Sequence, residues 1–238
     1  MAQLKANYRI TSLTFTAADV DIANDRITVA NHGLRVGDAI GIAPTAAGTI
    51  PAGLAVTTPY NVIVVDASTI SLAASYADAF AGTAVNITSV GVGTQTLYVG
   101  GIGRVLLQPF PLNGVIRNVS YDVITTFDSA ATSDGAAVDA AAIGLELITI
   151  SGARVIAQSV SIMDETDATA TISNGANGWD AGVGSLDALV IPDFATVDDD
   201  VKPTDDTWLA VSLEDNGEVV RVGEANIIID YYVSFTSA

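Results

Sequence analysis

One histidine, no cysteine and a surplus of aspartate set the limits on the chemistry this chain can perform. His32 lies in RITVANHGLRVGDAIGI (26–42), where Asp38 is the only nearby acid. A histidine–acid pair activates a nucleophile only when a third group is held within hydrogen-bond reach, and this stretch supplies none. Asn31 and His32 tolerate unusual backbone angles and Gly33 takes positive φ freely, so NHGL reads as a turn that His32 helps to shape. Without cysteine there is no thiolate nucleophile, no Cys-bound zinc and no disulfide. The sequence also contains no GxSxG elbow, Walker A motif, HExxH or strand-linked GxGxxG. No catalytic residue is expected, and no cofactor.

Aspartate is the remaining candidate. The stretch DFATVDDDVKPTDDTW (193–208) brings Asp193 close in sequence to Asp198, Asp199, Asp200, Asp205 and Asp206. Crowded carboxylates repel one another unless water, Lys202 or a hard cation screens them. Ca²⁺ takes oxygen ligands of this kind, which makes the last five acids candidate metal ligands. No Gly-punctuated loop ending in Glu is present, and a solvated acidic loop is the preferred reading. MDETD (163–167) is a second, weaker cluster. Paired carboxylates also hydrolyse glycosides, but an aromatic content of 6% leaves few platforms for stacking sugars.

The elements that must carry these residues are dominated by short runs of period two. Thr11–Thr16, Arg26–Ala30, Ala39–Ile42, Asn61–Val65, Thr69–Ala73, Val85–Thr88 and Thr94–Val99 are rich in Val, Ile, Thr and Tyr, and Gly, Pro, Asn and Asp separate them. SYADAFAG (75–82) reads as one helical turn, with Tyr76 and Phe80 four apart and Gly82 at its end. Glycines cluster at GGIGR (100–104), where a domain boundary is expected near residue 101. Longer strands are expected beyond it: Arg104–Gln108, Val115–Phe127, Ala142–Ile150, Arg154–Ile162, Thr207–Leu213, Val219–Val222 and Asn226–Phe235. GARVIAQSV (152–160) also fits a short helix. In the last strand, Ile227, Ile229, Tyr231, Val233 and Phe235 share a parity and should face the core.

The pattern predicts an all-β chain in three parts. Residues 1–18 form an N-terminal arm or first strand, 19–100 a small β-barrel-like module, and 101–238 an acidic antiparallel β-sandwich of jelly-roll or Greek-key type. With 238 residues, half of them apolar, no staple is required. Net charge is −18, and residues 1–100 hold four Lys/Arg against six Asp, so sixteen of those charges belong to the second half. Such a field opposes nucleic acid and anionic membrane, and neither is expected as a partner. The start MAQLKANYRITSL lacks an apolar run behind a basic flank, and nowhere are there roughly 18 consecutive apolar residues. A soluble, non-exported chain is expected.

Four motifs in order, NHGLRVGD (31–38), GTIPAGL (48–54), TPYNVIVVDASTISLA (58–73) and AGTAVNITSVGVGTQTL (81–97), resemble a small β module that recurs in bacteriophage virion proteins, often in tail and fibre polypeptides. The likeness covers about residues 24–98. PYN (59–61) departs from the more usual paired aromatic before the VIVVD strand. In the second half, PLNGVIRNVSYDVITTFDSAA (111–131) and the terminal NIIIDYYVSF (226–235) resemble β-sandwich domains of virion surface proteins. The resemblance implies a capsid decoration, or cement, protein on the virion exterior, made in the host cytoplasm. Its expected partners are the major capsid protein and sister copies in a homotrimer. The alternative is a tail or head fibre component that binds a host receptor, with Trp179 or Trp208 as anchors.

Overall fold

A computed structural model describes residues 2–45, 47–56, 58–110, 114–128, 142–150, 156–163, 182–186, 207–214 and 219–233. In chain order these residues form β1 (Ala2–Arg9), β2 (Thr11–Thr16), a 3-10 turn (Ala17–Asp19), β3 (Val20–Asp21), β4 (Arg26–Thr28), β5 (Ala39–Pro44), β6 (Tyr60–Asp66), β7 (Thr69–Ala73), the helix α1 (Tyr76–Ala81) and β8 (Thr94–Val99). There follow β9 (Gly103–Pro109), β10 (Gly114–Asp128), β11 (Ala142–Ile150), β12 (Ile156–Met163), β13 (Gly182–Leu186), β14 (Thr207–Glu214) and β15 (Val222–Val233). The fold is all-β and sandwich-like. Its strands lie in three antiparallel sheets, and α1 is the one α-helix among the described residues.

The largest sheet is the module, in the order β2-β8-β5-β6-β7-β4-β3. Alternation places Phe15, Ile27, Ile40, Ile42, Val62, Ile70, Leu72 and Leu97 in one buried cluster. Ser75 caps α1 by accepting from Asp78 N–H at 3.1 Å, and Gly82 ends it in the left-handed region at φ 72°. The segment expected as a strand at Val85–Thr88 is extended but joins no ladder. Val85 N–H donates to Leu72 C=O, Thr88 N–H to Ala52 C=O, and Ile87 N–H to Asp25 Oδ1 at 2.7 Å. One bond to β7, one to a loop carbonyl and one to a side chain satisfy it in place of a continuous ladder, and Ile87 still reaches the core.

The other two sheets, β1-β15-β10-β13 and β12-β11-β14-β9, face each other. Tyr8, Phe127, Ala225, Ile227 and Ile229 from the first meet Leu145, Leu147, Leu209, Val211 and Leu213 from the second. The parity expected for the last strand holds at Ile227 and Ile229, and Tyr231 packs partly buried against the same core. The strand expected at 219–222 does not form over Val219–Arg221; β15 begins at Val222 and runs on through the strand expected from Asn226, with its partner residues from Glu224 to Tyr231 along β1. Ile156–Met163 is a strand, not a helix, and pairs with β11.

The N-terminal arm divides at Ile10. Ala2–Arg9 pairs with β15, whereas Thr11–Thr16 pairs with β8, so the module spans 11–99 and sits between two strands of the sandwich. The last strand of the seven-stranded sheet, β8, ends at Val99, and β9 of the sandwich begins at Gly103.

Candidate functional site

Two chain crossings and one buttressing segment knit the module to the sandwich. The chain enters the module at Ile10, whose N–H donates to Gly223 C=O at 3.0 Å, and leaves through Gly100–Gly103. The strand-leading segment Val219–Arg221 buttresses both, with Val220 N–H donating to Gly101 C=O at 2.8 Å. Contact is too close for side chains at two points. A Cβ on Gly41 would sit 2.6 Å from a Val219 methyl, and one on Gly101 would overlap the Val220 carbonyl. Tyr8 crosses the same waist: its ring stacks on Phe127 at 5.3 Å and its hydroxyl donates to Gly100 C=O at 2.6 Å. Burial pushes that phenol far above its ordinary pKa, so it stays a neutral donor. The junction is a fixed one.

Beside this waist the module leans on the sandwich through Tyr76 of α1. Ile148, Ile150 and Ala210 form a small apolar floor on the outer face of β11 and β14, and Tyr76, Leu106 and Trp208 pack partly buried against it. Open space remains on both sides of Tyr76. One compartment, about 300 Å³, is bounded by Tyr60, Asn61, Arg104 and Ser212; the other, about 210 Å³, by Arg9, Arg35, Asp38 and Trp208. Ala39, Tyr76 and Leu106 line both, which makes them two halves of one groove.

The charges along the groove are not equivalent. Arg104 Nε lies 2.6 Å from Glu146 Oε2 and its Nη2 3.2 Å from Oε1, a two-pronged pair in which Glu146 is only 7% exposed. Each charge satisfies the other there. Arg9 is looser: its Nε is 3.8 Å from Glu224 and its side chain 64% exposed. The exposed Arg35 makes no ion pair among the described residues. Asp38, on the same wall, is turned inward on the backbone, its Oδ2 accepting from Arg35 N–H at 2.8 Å.

His32 is a structural clamp in the turn. Its Nδ1 accepts from Leu34 N–H at 2.9 Å, which assigns the proton to Nε2, 2.8 Å from Asp66 C=O. Both ring nitrogens are engaged with backbone, and the residue is 8% exposed. Asp38, the acid closest in sequence, is not its partner. Asp66 in turn closes the β6–β7 hairpin through Ser68 N–H at 2.8 Å, the main reason its carboxyl is held below the usual range. Asp21 is lowered likewise, first by the Asn24 side-chain amide at 2.7 Å.

The acids Asp198, Asp199, Asp200, Asp205 and Asp206 lie outside the described residues, as do Asp193, Trp179 and most of MDETD. Trp208 is described and belongs to the groove. Among the described residues no three His, Asp or Glu side chains gather as a metal site would require, and no helix is long and apolar enough to cross a membrane. Sequence reasoning passed over Arg9, Arg35 and Arg104, because they come from β1, the NHGL turn and β9, with no local spacing to link them. No protein-family model matches the chain, and no curated protein matches it.

Proposed function

We propose that this chain is a non-enzymatic virion structural protein of a bacteriophage, a capsid decoration protein that holds neighbouring subunits together by surface contact. The observation that carries the reading is the use made of its few polar catalyst candidates. His32 has both nitrogens committed to backbone. Between Asp38 and Arg104 the only charged residues are Asp66 and Asp78, and each is tied to a local turn: Asp66 to Ser68, Asp78 to the Ser75 cap. The surface formed by residues 39–103 is therefore poor in available charge, which suits burial against a protein partner. The acidic half, with its sixteen net negative charges, suits the solvent side. The resemblance of residues 24–98 and of the second half to virion modules points the same way.

In this arrangement the module packs on the major capsid protein or on sister copies, as a homotrimer at a three-fold position. The fixed waist then sets the direction in which the sandwich projects. Electron microscopy of the assembled particle tests it. Density for this chain at regular lattice positions on the shell is the expected result, and density confined to the tail overturns it.

One observation favours a second reading, a fibre component that binds a host receptor: Trp208 stands half-buried in an open groove, a setting in which aromatic anchors work. Adsorption of the purified chain to host cells, abolished by excess unlabelled chain, is what that reading requires.

A further inference from the structure

The groove divided by Tyr76 concentrates positive charge in a chain that has little. Of the six Lys and Arg side chains whose surroundings are described, three line it. One of these, Arg104, is matched by Glu146; the other two, Arg9 and Arg35, open on the compartment that holds Trp208. We propose that this groove binds a sugar bearing a single carboxylate, a sialic or uronic acid at the end of an otherwise neutral glycan.

The chemistry divides along the groove. In the 210 Å³ compartment, planar guanidinium forks match a carboxylate, and Arg35 has no ion-pair partner among the described residues to give up. Arg9 would exchange only a 3.8 Å contact with Glu224. Asp38, the one acid among the lining residues, keeps its charge but turns Oδ2 onto Arg35 N–H, and the two guanidiniums outnumber it. Tyr76 and Trp208 border this compartment, each half-buried on the apolar floor, and give it the aromatic lining on which the C–H groups of a pyranose would rest. In the 300 Å³ compartment the charges of Arg104 and Glu146 cancel, and Tyr60, Asn61 and Ser212 border the space, a setting for a neutral sugar. That compartment alone reaches the lower end of the range for ligand sites, roughly 300–1,000 Å³.

The charge of the whole molecule decides how many carboxylates the ligand carries. A net charge of −18 repels dense polyanions at long range, so nucleic acid, heparin-like chains and polyphosphate are disfavoured, whereas one carboxylate delivered into a local cationic pocket is not. The walls are already in place, because Tyr8, Gly101 and Val220 fix the module against the sandwich, and little ordering remains for a ligand to induce.

This binding holds whether the chain sits on the capsid or the tail, and its failure leaves either location standing. Titration calorimetry of the full chain with 3′-sialyllactose, glucuronic acid, lactose and a heparin hexasaccharide tests it. Saturable binding of at least one of the two carboxylated sugars is expected, with lactose about tenfold weaker. Arg35→Glu should erase that preference while leaving the unfolding curve unchanged, since the side chain is exposed. The proposal is overturned by no saturable binding of either acid up to about 10 mM, by equal binding of lactose, by heparin binding tighter than both, or by carboxylate binding that survives Arg35→Glu.

Discussion

Set side by side, the module and the sandwich satisfy their backbones differently. The described strands of the sandwich run to fifteen residues, and β10 and β15 pair along most of their length. Two apolar faces then close on each other around Phe127, Leu147, Leu209 and Ile227. Module strands run from two to seven residues and are separated by long connections, so many N–H and C=O groups have no ladder partner. Side chains take their place: Gln95 Nε2 donates to Thr49 and Val92 carbonyls, Asn61 to Gly37, and Ser89 accepts from Ala52. The module, whose charge thins out after Asp38 to Asp66 and Asp78 alone, is thus pinned by amides and hydroxyls together with the carboxylates of Asp25, Asp38 and Asp66. What the comparison teaches is that charge poverty in the module is not looseness, because its polar groups work inward on the backbone and leave the outer face plain.

The largest expected effect falls on the sandwich. Arg104→Met removes the two-pronged partner of the buried Glu146 and should cost about 3 kcal/mol in urea unfolding followed by tryptophan fluorescence. Pairing it with Glu146→Leu removes the buried carboxylate as well and should recover most of the loss. If the single variant costs nothing, the polar pair in the sandwich is inert and the contrast with the module sharpens beyond what is claimed. Next comes the module's own clamp. His32→Ala removes an acceptor from Leu34 and a donor from Asp66 and should cost about 1–2 kcal/mol. Amide hydrogen exchange should speed up at residues 33–36 and 66–70 and stay unchanged in β11 and β14. A matching loss of protection in the sandwich would break the division between the two regions.

Periodicity made most of the strands legible, since alternation depends only on neighbouring residues: β5 through β8 and the burial of Ile227 and Ile229 could be read directly. Helix α1 was legible from its Tyr76–Phe80 spacing and Gly82. The pairing of Ala2–Arg9 with β15, more than two hundred residues away, was not, because period two says which face is buried and nothing about the partner. Val85–Thr88 carried a strand pattern but met three scattered acceptors, on β7, a loop and a side chain, where a ladder was expected. His32 was readable as a turn residue from NHGL alone. The groove was not: Arg9, Arg35, Tyr76, Arg104 and Trp208 come from five separate stretches, and only the threading of the module between β1 and β9 brings them together.

The smallest expected effect is on acidity, and here the two regions should diverge. Asp66 and Asp21 are held below the ordinary carboxylate pKa, by Ser68 N–H and by the Asn24 amide respectively. A carboxyl whose folded pKa is depressed stabilises the fold above its unfolded value, roughly pH 4, and that contribution vanishes as pH falls through the lower, folded value. Both groups are fully solvated, so the loss is local: the Asp21–Arg26 and Asp66–Thr69 turns should lose hydrogen-exchange protection below about pH 4. In the second half the same acidification relieves the mutual repulsion of an excess of sixteen negative charges, which works in the opposite direction. Asp21→Asn with Asp66→Asn keeps an acceptor in each turn but cannot titrate, and should flatten the acid response of the module while leaving that of the sandwich as it was. Acid loosening of the turns that persists in the double variant would locate the titrating groups elsewhere and remove these carboxylates from the account of how the module is held.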